Sequence, residues 1–190
     1  AKDPITSGLA LENFLPREHW ARSGGHCCLL GAGGSSLALT THLIKDRKVE
    51  ECPRRIVVTN RSEKRLESME KVHQEINPGL EIRYYHCPHH EQNDEVVSAL
   101  PEHSLVANAT GLGKDAPGSP LTDNAKFPMY GYAWEFNYRG DLLFMEQAER
   151  QQKERHLHIE DGWVYFVHGW TRVMEEVLHM DIPESGPEFD

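Results

Sequence analysis

Short apolar or β-branched runs alternate with helix-length amphipathic segments along most of this chain, and that alternation limits its fold more than any other feature. His26-Cys27-Cys28-Leu29-Leu30 ends at Gly31, and Ser35 to Ile44 then offers Leu37, Leu39, Leu43 and Ile44 for helical packing. Arg55 to Thr59 is short and β-branched, as expected of a parallel strand buried on both faces. Ser62 is placed to cap a second helix, whose Leu66, Met69, His73 and Ile76 share one face, and Asn77-Pro78-Gly79 stops it. Leu80 to Tyr85, Ser104 to Ala107 and Tyr130 to Phe136 read as three more strands, with a short helix over Asp94 to Leu100. Units of this size in alternation predict an α/β fold, a doubly wound parallel sheet of the Rossmann-like kind. Two helices flank it. One starts near Ser7 and runs through Leu9, Leu11, Phe14 and Leu15. The other follows Asp161-Gly162, with Asp161 as its cap, and sets Trp163, Phe166, Val167, Trp170, Val173, Met174 and Val177 on a broad apolar face that needs a partner surface. The expected division is a flanking helix over 1–18, an α/β domain over 19–160, a long helix over 161–182 and a disordered acidic tail over 183–190.

Charge and cysteine content narrow the function classes. The 190 residues hold 20 basic and 30 acidic side chains, a net charge of -10, which argues against a general nucleic-acid or anionic-membrane binder. No 18-residue apolar window is present to span a membrane, mean hydropathy is -0.60, and no basic-then-apolar signal stretch opens the sequence. Cys27, Cys28, Cys52 and Cys87 form no CxxC pair, so a reducing cytoplasm is expected rather than a disulfide scaffold.

Gly31-Ala32-Gly33-Gly34-Ser35-Ser36 joins the first strand to the first helix. Glycines there let the backbone turn tightly and bring amide N–H groups to a pyrophosphate, and the helix N-terminus favours the anion. The loop reads GxGG, with Ser36 in the third slot of the GxGxxG pattern. The second strand ends at Thr59-Asn60-Arg61-Ser62, where an NAD site usually carries Asp or Glu for the ribose 2′-hydroxyl. Asn60 and Arg61 stand there instead, with Lys64 and Arg65 one turn on. A guanidinium suits a 2′-phosphate, and cations at a helix N-terminus oppose its dipole unless an anion is near. The cofactor expected is NADP.

These motifs, in order, resemble the shikimate and quinate dehydrogenase family. The matching segments are Gly31-Ala32-Gly33-Gly34, Asn60-Arg61-Ser62, Asn108-Ala109-Thr110-Gly111-Leu112-Gly113, Glu135-Phe136-Asn137-Tyr138, Asp161-Gly162 with its helix, and Ile5-Thr6-Ser7-Gly8. The resemblance spans about residues 5 to 182. It implies that this is the second of two domains, that roughly a hundred residues of a substrate domain precede it or come from another polypeptide, and that the flanking helices cross to that domain. By resemblance, Gly31, Ala32, Gly33, Gly34 and Ser35 would hold the pyrophosphate. Asn60, Arg61, Ser62 and Arg65 would hold the ribose and its 2′-phosphate. Asn108, Thr110, Gly111 and Leu112 would lie along the nicotinamide half, Phe136 and Gly162 would frame the nicotinamide, and Tyr138 would reach a small-molecule substrate.

The substrate residues depart from the family pattern. Ser7 replaces an Asp that handles a proton with a first-domain Lys, and Ser cannot hold a charge at neutral pH. Gly169 replaces a Gln that contacts substrate hydroxyls, with His168 beside it as a candidate acid, base or substrate contact. A different hydroxylated or keto-acid substrate is therefore expected, and the chain alone is expected to be inactive. The alternative is a non-catalytic nucleotide-binding or interaction module. His86, Cys87, His89 and His90 are metal-ligand types but too tightly packed in sequence to point at one centre, so no metal is expected. No GxSxG elbow signals a hydrolase, and the tryptophans do not interleave with basic residues as a nucleic-acid platform would. A homodimer is compatible with all of this.

Overall fold

The structure is a computed structural model that describes residues 3–45, 48–76 and 80–179. The expected tail at 183–190 lies outside them. In chain order the elements are α1 (Asp3–Phe14), α2 (His19–Ser23), β1 (Cys27–Leu30), α3 (Gly34–Lys45), β2 (Ile56–Asn60), α4 (Glu63–Ile76), β3 (Ile82–His86), α5 (His90–Ser98), β4 (Leu105–Asn108), β5 (Tyr132–Glu135), α6 (Leu143–Arg155), β6 (His158–Glu160) and α7 (Trp163–Leu178). The six strands form one sheet in the order β3-β2-β1-β4-β5-β6, every neighbouring pair parallel. This is the doubly wound sheet expected, with one strand more.

The apolar runs are continuous because both faces of the sheet are covered. Cys27 and Leu29 face one core with Ile56, Val58, Leu105, Ala107 and Trp134, under Leu39 and Leu43 of α3 and Leu66 and Met69 of α4. Cys28 and Leu30 face the other core with Val57, Val106 and Ala133, against Val97 of α5 and Phe144 and Ala148 of α6. α1 packs on α3 and α7, and its Leu11 is fully buried in the first core. The helix expected to link domains is thus also a structural part of this one. α5 starts at His90, four residues before its expected start. Gln92 explains the extra turn, since its side-chain oxygen accepts from the His89 amide at 3.0 Å.

Candidate nucleotide site

β1 and β4 are neighbours although β2 and β3 lie between them in sequence. The winding reverses there, and open parallel sheets bind ligands at the carboxyl ends of strands at such a point. Gly31 takes φ +110°, and a Cβ on it would meet the Ala109 carbonyl oxygen at 2.9 Å, so only glycine fits the turn. The Ser36 hydroxyl donates to the Gly31 carbonyl, and the Gly31 amide donates to the Thr59 carbonyl at 2.8 Å. Asn60 brackets the neighbouring loops. Its Oδ1 accepts from the Ala32 amide at 3.4 Å and its Nδ2 donates to the Ser62 carbonyl at 3.1 Å. Nothing lies within 4 Å of where a Cβ on Gly34 would stand, so the start of α3 opens to solvent.

A cavity of about 500 Å³ fills the crevice. Of the residues expected at the cofactor, Gly31, Ala32, Gly33, Asn60, Arg61, Arg65, Thr110, Gly111 and Leu112 line it. So do Thr59, Cys87, Pro88, His90, Asn93 and Asp115, which sequence reasoning did not assign to it. Arg61 and Arg65 are exposed at its edge, and among the described residues no carboxylate pairs with either. Thr59 Oγ1 and Asn93 Oδ1 are buried with no hydrogen-bond partner among the described residues. Orphaned polar atoms on the wall of a glycine-floored, cation-edged cavity fit a polar, phosphorylated ligand such as a dinucleotide. Burial pushes the Cys87 thiol up to about 11, which keeps it neutral at physiological pH. Among the described residues no three His, Cys, Asp or Glu groups gather as metal ligands do.

Asn108 does not line the cavity. It is fully buried beneath the loop that follows β4 and holds that loop in shape. Its Oδ1 accepts from the Thr110 amide at 3.0 Å and from the Thr110 hydroxyl at 2.6 Å. Its Nδ2 donates to Glu135 Oε2 at 2.7 Å. Glu135, 1% exposed, also accepts at Oε1 from the Asn137 amide (2.9 Å) and side chain (2.7 Å), and Asn137 Nδ2 reaches the carbonyls of Thr110 and Leu112. Burial raises the Glu135 carboxyl to about 7, opposed by these hydrogen bonds. The sequence places Glu135 only within a segment that matches the family pattern. Its part as the hub joining β4 to β5 was missed.

A second cavity of about 430 Å³ lies between the strand ends and α7. Phe136 and Tyr138 line it, with Lys114, Tyr165, Phe166, Trp170 and Gly169, and so does Ser35, which was expected at the pyrophosphate and is not on the wall of the first cavity. Tyr138 stacks on Phe166 at 4.1 Å between ring centroids, and the Arg139 guanidinium lies 5.7 Å from its ring centre. Gly162 sits where a Cβ would collide with the Phe136 carbonyl, and the Asp161 carboxylate accepts from the Trp163 amide at 2.9 Å to start α7. Gly34 and Ser62 line neither cavity. Neither do Ser7 and His168. Ser7 is fully buried and its hydroxyl donates to the Pro4 carbonyl at 3.1 Å, because its face of α1 packs inward. His168 is 3% exposed.

No family model matches the sequence, and no curated protein does. Solved structures do. Quinate dehydrogenase from Corynebacterium glutamicum in complex with NAD superposes with a TM-score of 0.69 at 17% identity, over 94% of this chain and 57% of that one. Shikimate 5-dehydrogenase from Listeria monocytogenes, solved with shikimate and NAD, gives 0.68 at 18% identity over 96% and 60%. The enzyme from Thermus thermophilus, solved with shikimate, gives 0.64 at 22% identity over 98% and 59%. The fold is therefore a Rossmann-like α/β fold that dehydrogenases of known structure share. More particularly, it is the fold found in the shikimate and quinate dehydrogenases, of whose length this chain spans a little under three fifths.

Proposed function

We propose that this chain is the NADP(H)-binding domain of a shikimate dehydrogenase-like oxidoreductase acting on a hydroxyl or keto group of a small, hydroxylated carboxylic acid. The observation that carries the reading is the crevice at the β1–β4 reversal, floored by the glycine turn on one side and edged on the other by Arg61 and Arg65, which no carboxylate among the described residues neutralises. Amides of residues 31–35 would face the pyrophosphate with the dipole of α3 behind them. Asn60, already spent on bracing the loop, holds the ribose side open, while Ser62 completes the turn into α4. Arg61 and Arg65 would take the 2′-phosphate by charge-assisted hydrogen bonds. The preference for NADP over NAD rests on these two cations standing where a carboxylate would serve NAD.

When bound, the nicotinamide supplies the hydride chemistry. The protein's own part is placement. The Asn108–Glu135–Asn137 network holds Thr110, Gly111 and Leu112 along the cofactor. Phe136 lines the second cavity with Gly162 packed against its carbonyl, and Tyr138, with Phe166 and Arg139 against its ring, would direct its hydroxyl to the substrate. Ser7 and His168 do not reach that cavity. The proton-handling group then comes from a substrate domain that covers the exposed Trp163, Trp170, Val173 and Val177 of α7, and this chain alone is inactive. Four cysteines, three of them buried and none in a disulfide among the described residues, favour a reducing cytoplasm.

Calorimetric titration with NADPH and with NADH tests the reading. NADPH should bind more tightly, and Arg61→Ala should weaken it about tenfold or more while leaving NADH nearly unchanged. Equal or tighter binding of NADH overturns the role of Arg61. Binding of neither overturns the nucleotide reading and favours the second one, a non-catalytic interaction module, to which the inward-turned Ser7 lends support.

A further inference from the structure

We propose that Asn93 selects the base of the bound nucleotide, its side-chain oxygen accepting a hydrogen bond from the exocyclic amino group of adenine. The proposal rests on the nucleotide reading of the first cavity. β3 ends at His86, and Cys87, Pro88, His90 and Asn93 form the cavity wall that follows it. Asn93 lies on α5 and is 7% exposed. Its Nδ2 donates to the Pro120 carbonyl at 2.9 Å. A carbonyl can only accept, so that bond fixes which end of the amide is which and leaves Oδ1 as the free end. Oδ1 is buried and has no partner among the described residues.

A buried acceptor without a donor costs the fold unless a ligand supplies one. Adenine carries a donor at C6. Hypoxanthine and guanine carry a carbonyl oxygen there, which would set acceptor against acceptor. The other orphan on this wall, Thr59 Oγ1, is a hydroxyl that can donate or accept, so it fits either base. The neutral Cys87 thiol and the Pro88 ring leave the neighbouring wall without a strong acceptor of its own. Asn93 is thus the group on the wall after β3 on which amino and oxo bases differ, the Asp115 carboxylate lying on the loop after β4.

The test compares NADPH with its hypoxanthine counterpart, reduced nicotinamide hypoxanthine dinucleotide phosphate, by calorimetry on this chain and on Asn93→Leu. The chain should bind NADPH about tenfold or more tightly than the hypoxanthine form, since a site built to pair one polar group rejects its mismatch. Asn93→Leu should bring the two within about threefold, mainly by weakening NADPH. Should the leucine variant fail to melt cooperatively, the two-ligand comparison on the unaltered chain still decides. NADPH binding with no base preference, or a preference kept in Asn93→Leu, overturns the role of Asn93 and leaves the nucleotide site standing. Binding of neither dinucleotide overturns both.

Discussion

Two buried titratable groups pull the stability of this fold in opposite directions with pH, and removing one should expose the other. Glu135, buried between β4 and β5, has its carboxyl raised from 4.5 to about 7. Above pH 7 it is ionised in folded and unfolded chains alike, and burial of the charge costs about 3 kcal/mol. That cost fades as pH falls through 7 and is nearly gone at 4.5, so this group makes the protein more stable in acid. His73 does the reverse. It is 2% exposed, with Nδ1 2.6 Å from the Tyr84 hydroxyl and Nε2 2.7 Å from Thr40 Oγ1, and burial lowers it from 6.5 to about 4. As pH falls from 6.5 to 4 the unfolded chain takes up a proton that the folded one refuses, and a similar ~3 kcal/mol is lost. Between pH 8 and 4.5 the two contributions nearly cancel. Glu135→Gln removes only the first. Its stability relative to the unaltered chain should therefore fall by about 3 kcal/mol over that range, a divergence of roughly 6–12 °C in melting temperature for a domain this size. Urea unfolding of both proteins at half-unit pH intervals measures it. A difference between them that stays constant with pH would refute the reasoning, whatever its size, because lost hydrogen bonds alone produce only an offset.

Three other outcomes follow from the geometry. Gly31→Ala should destabilise the fold by about 1–3 kcal/mol and abolish NADPH binding, since φ +110° and the Ala109 carbonyl both exclude a side chain, and thermal melting with calorimetry checks this. Asn60→Ala should cost about 1 kcal/mol of stability and weaken NADPH several-fold by releasing the Ala32 amide and the Ser62 carbonyl, which the same pair of measurements reads. Trp170→Glu, on a side chain 56% exposed, should shift the melting temperature by no more than about 2 °C, and a larger loss would mean the residue is packed in this chain.

The parts of this fold that could be read from sequence are those whose residues state their burial directly. Cys27 to Leu30 and Ile56 to Val58 are apolar without interruption because alternate side chains enter two different cores, and no exposed helix shows that pattern. The glycine turn and Arg61 were legible for the same reason, since each residue type is costly there without a cause. α6 was missed because its sequence is mostly charged and polar, and only Phe144, Gln147 and Ala148 of it are buried. β6 is three residues long at the sheet edge, with His158 exposed and Ile159 and Glu160 half-buried, too short to announce a period. The site divides the same way. The residues that touch the cavity near β1 and β2 follow from local chemistry. Asn93 and the Asn108–Glu135 pair do not, because their meaning comes from contacts 27 residues away in sequence. Ser7 and His168 were placed by matching the family pattern, and a matched position does not say which way a helix turns its face.

The pairing of β1 with β4 has a consequence for how the molecule comes into being. Leu30 meets Asn108 across that ladder, so the crevice has no second wall until Asn108 has left the ribosome. The first three strands and their helices can settle as local units, since such neighbours close short loops cheaply, whereas the β1–β4 contact closes a long one and comes late. If the crevice holds the proposed dinucleotide, its affinity belongs to the completed chain, and a dinucleotide added during refolding would act on the last step, holding together a junction that no earlier fragment possesses.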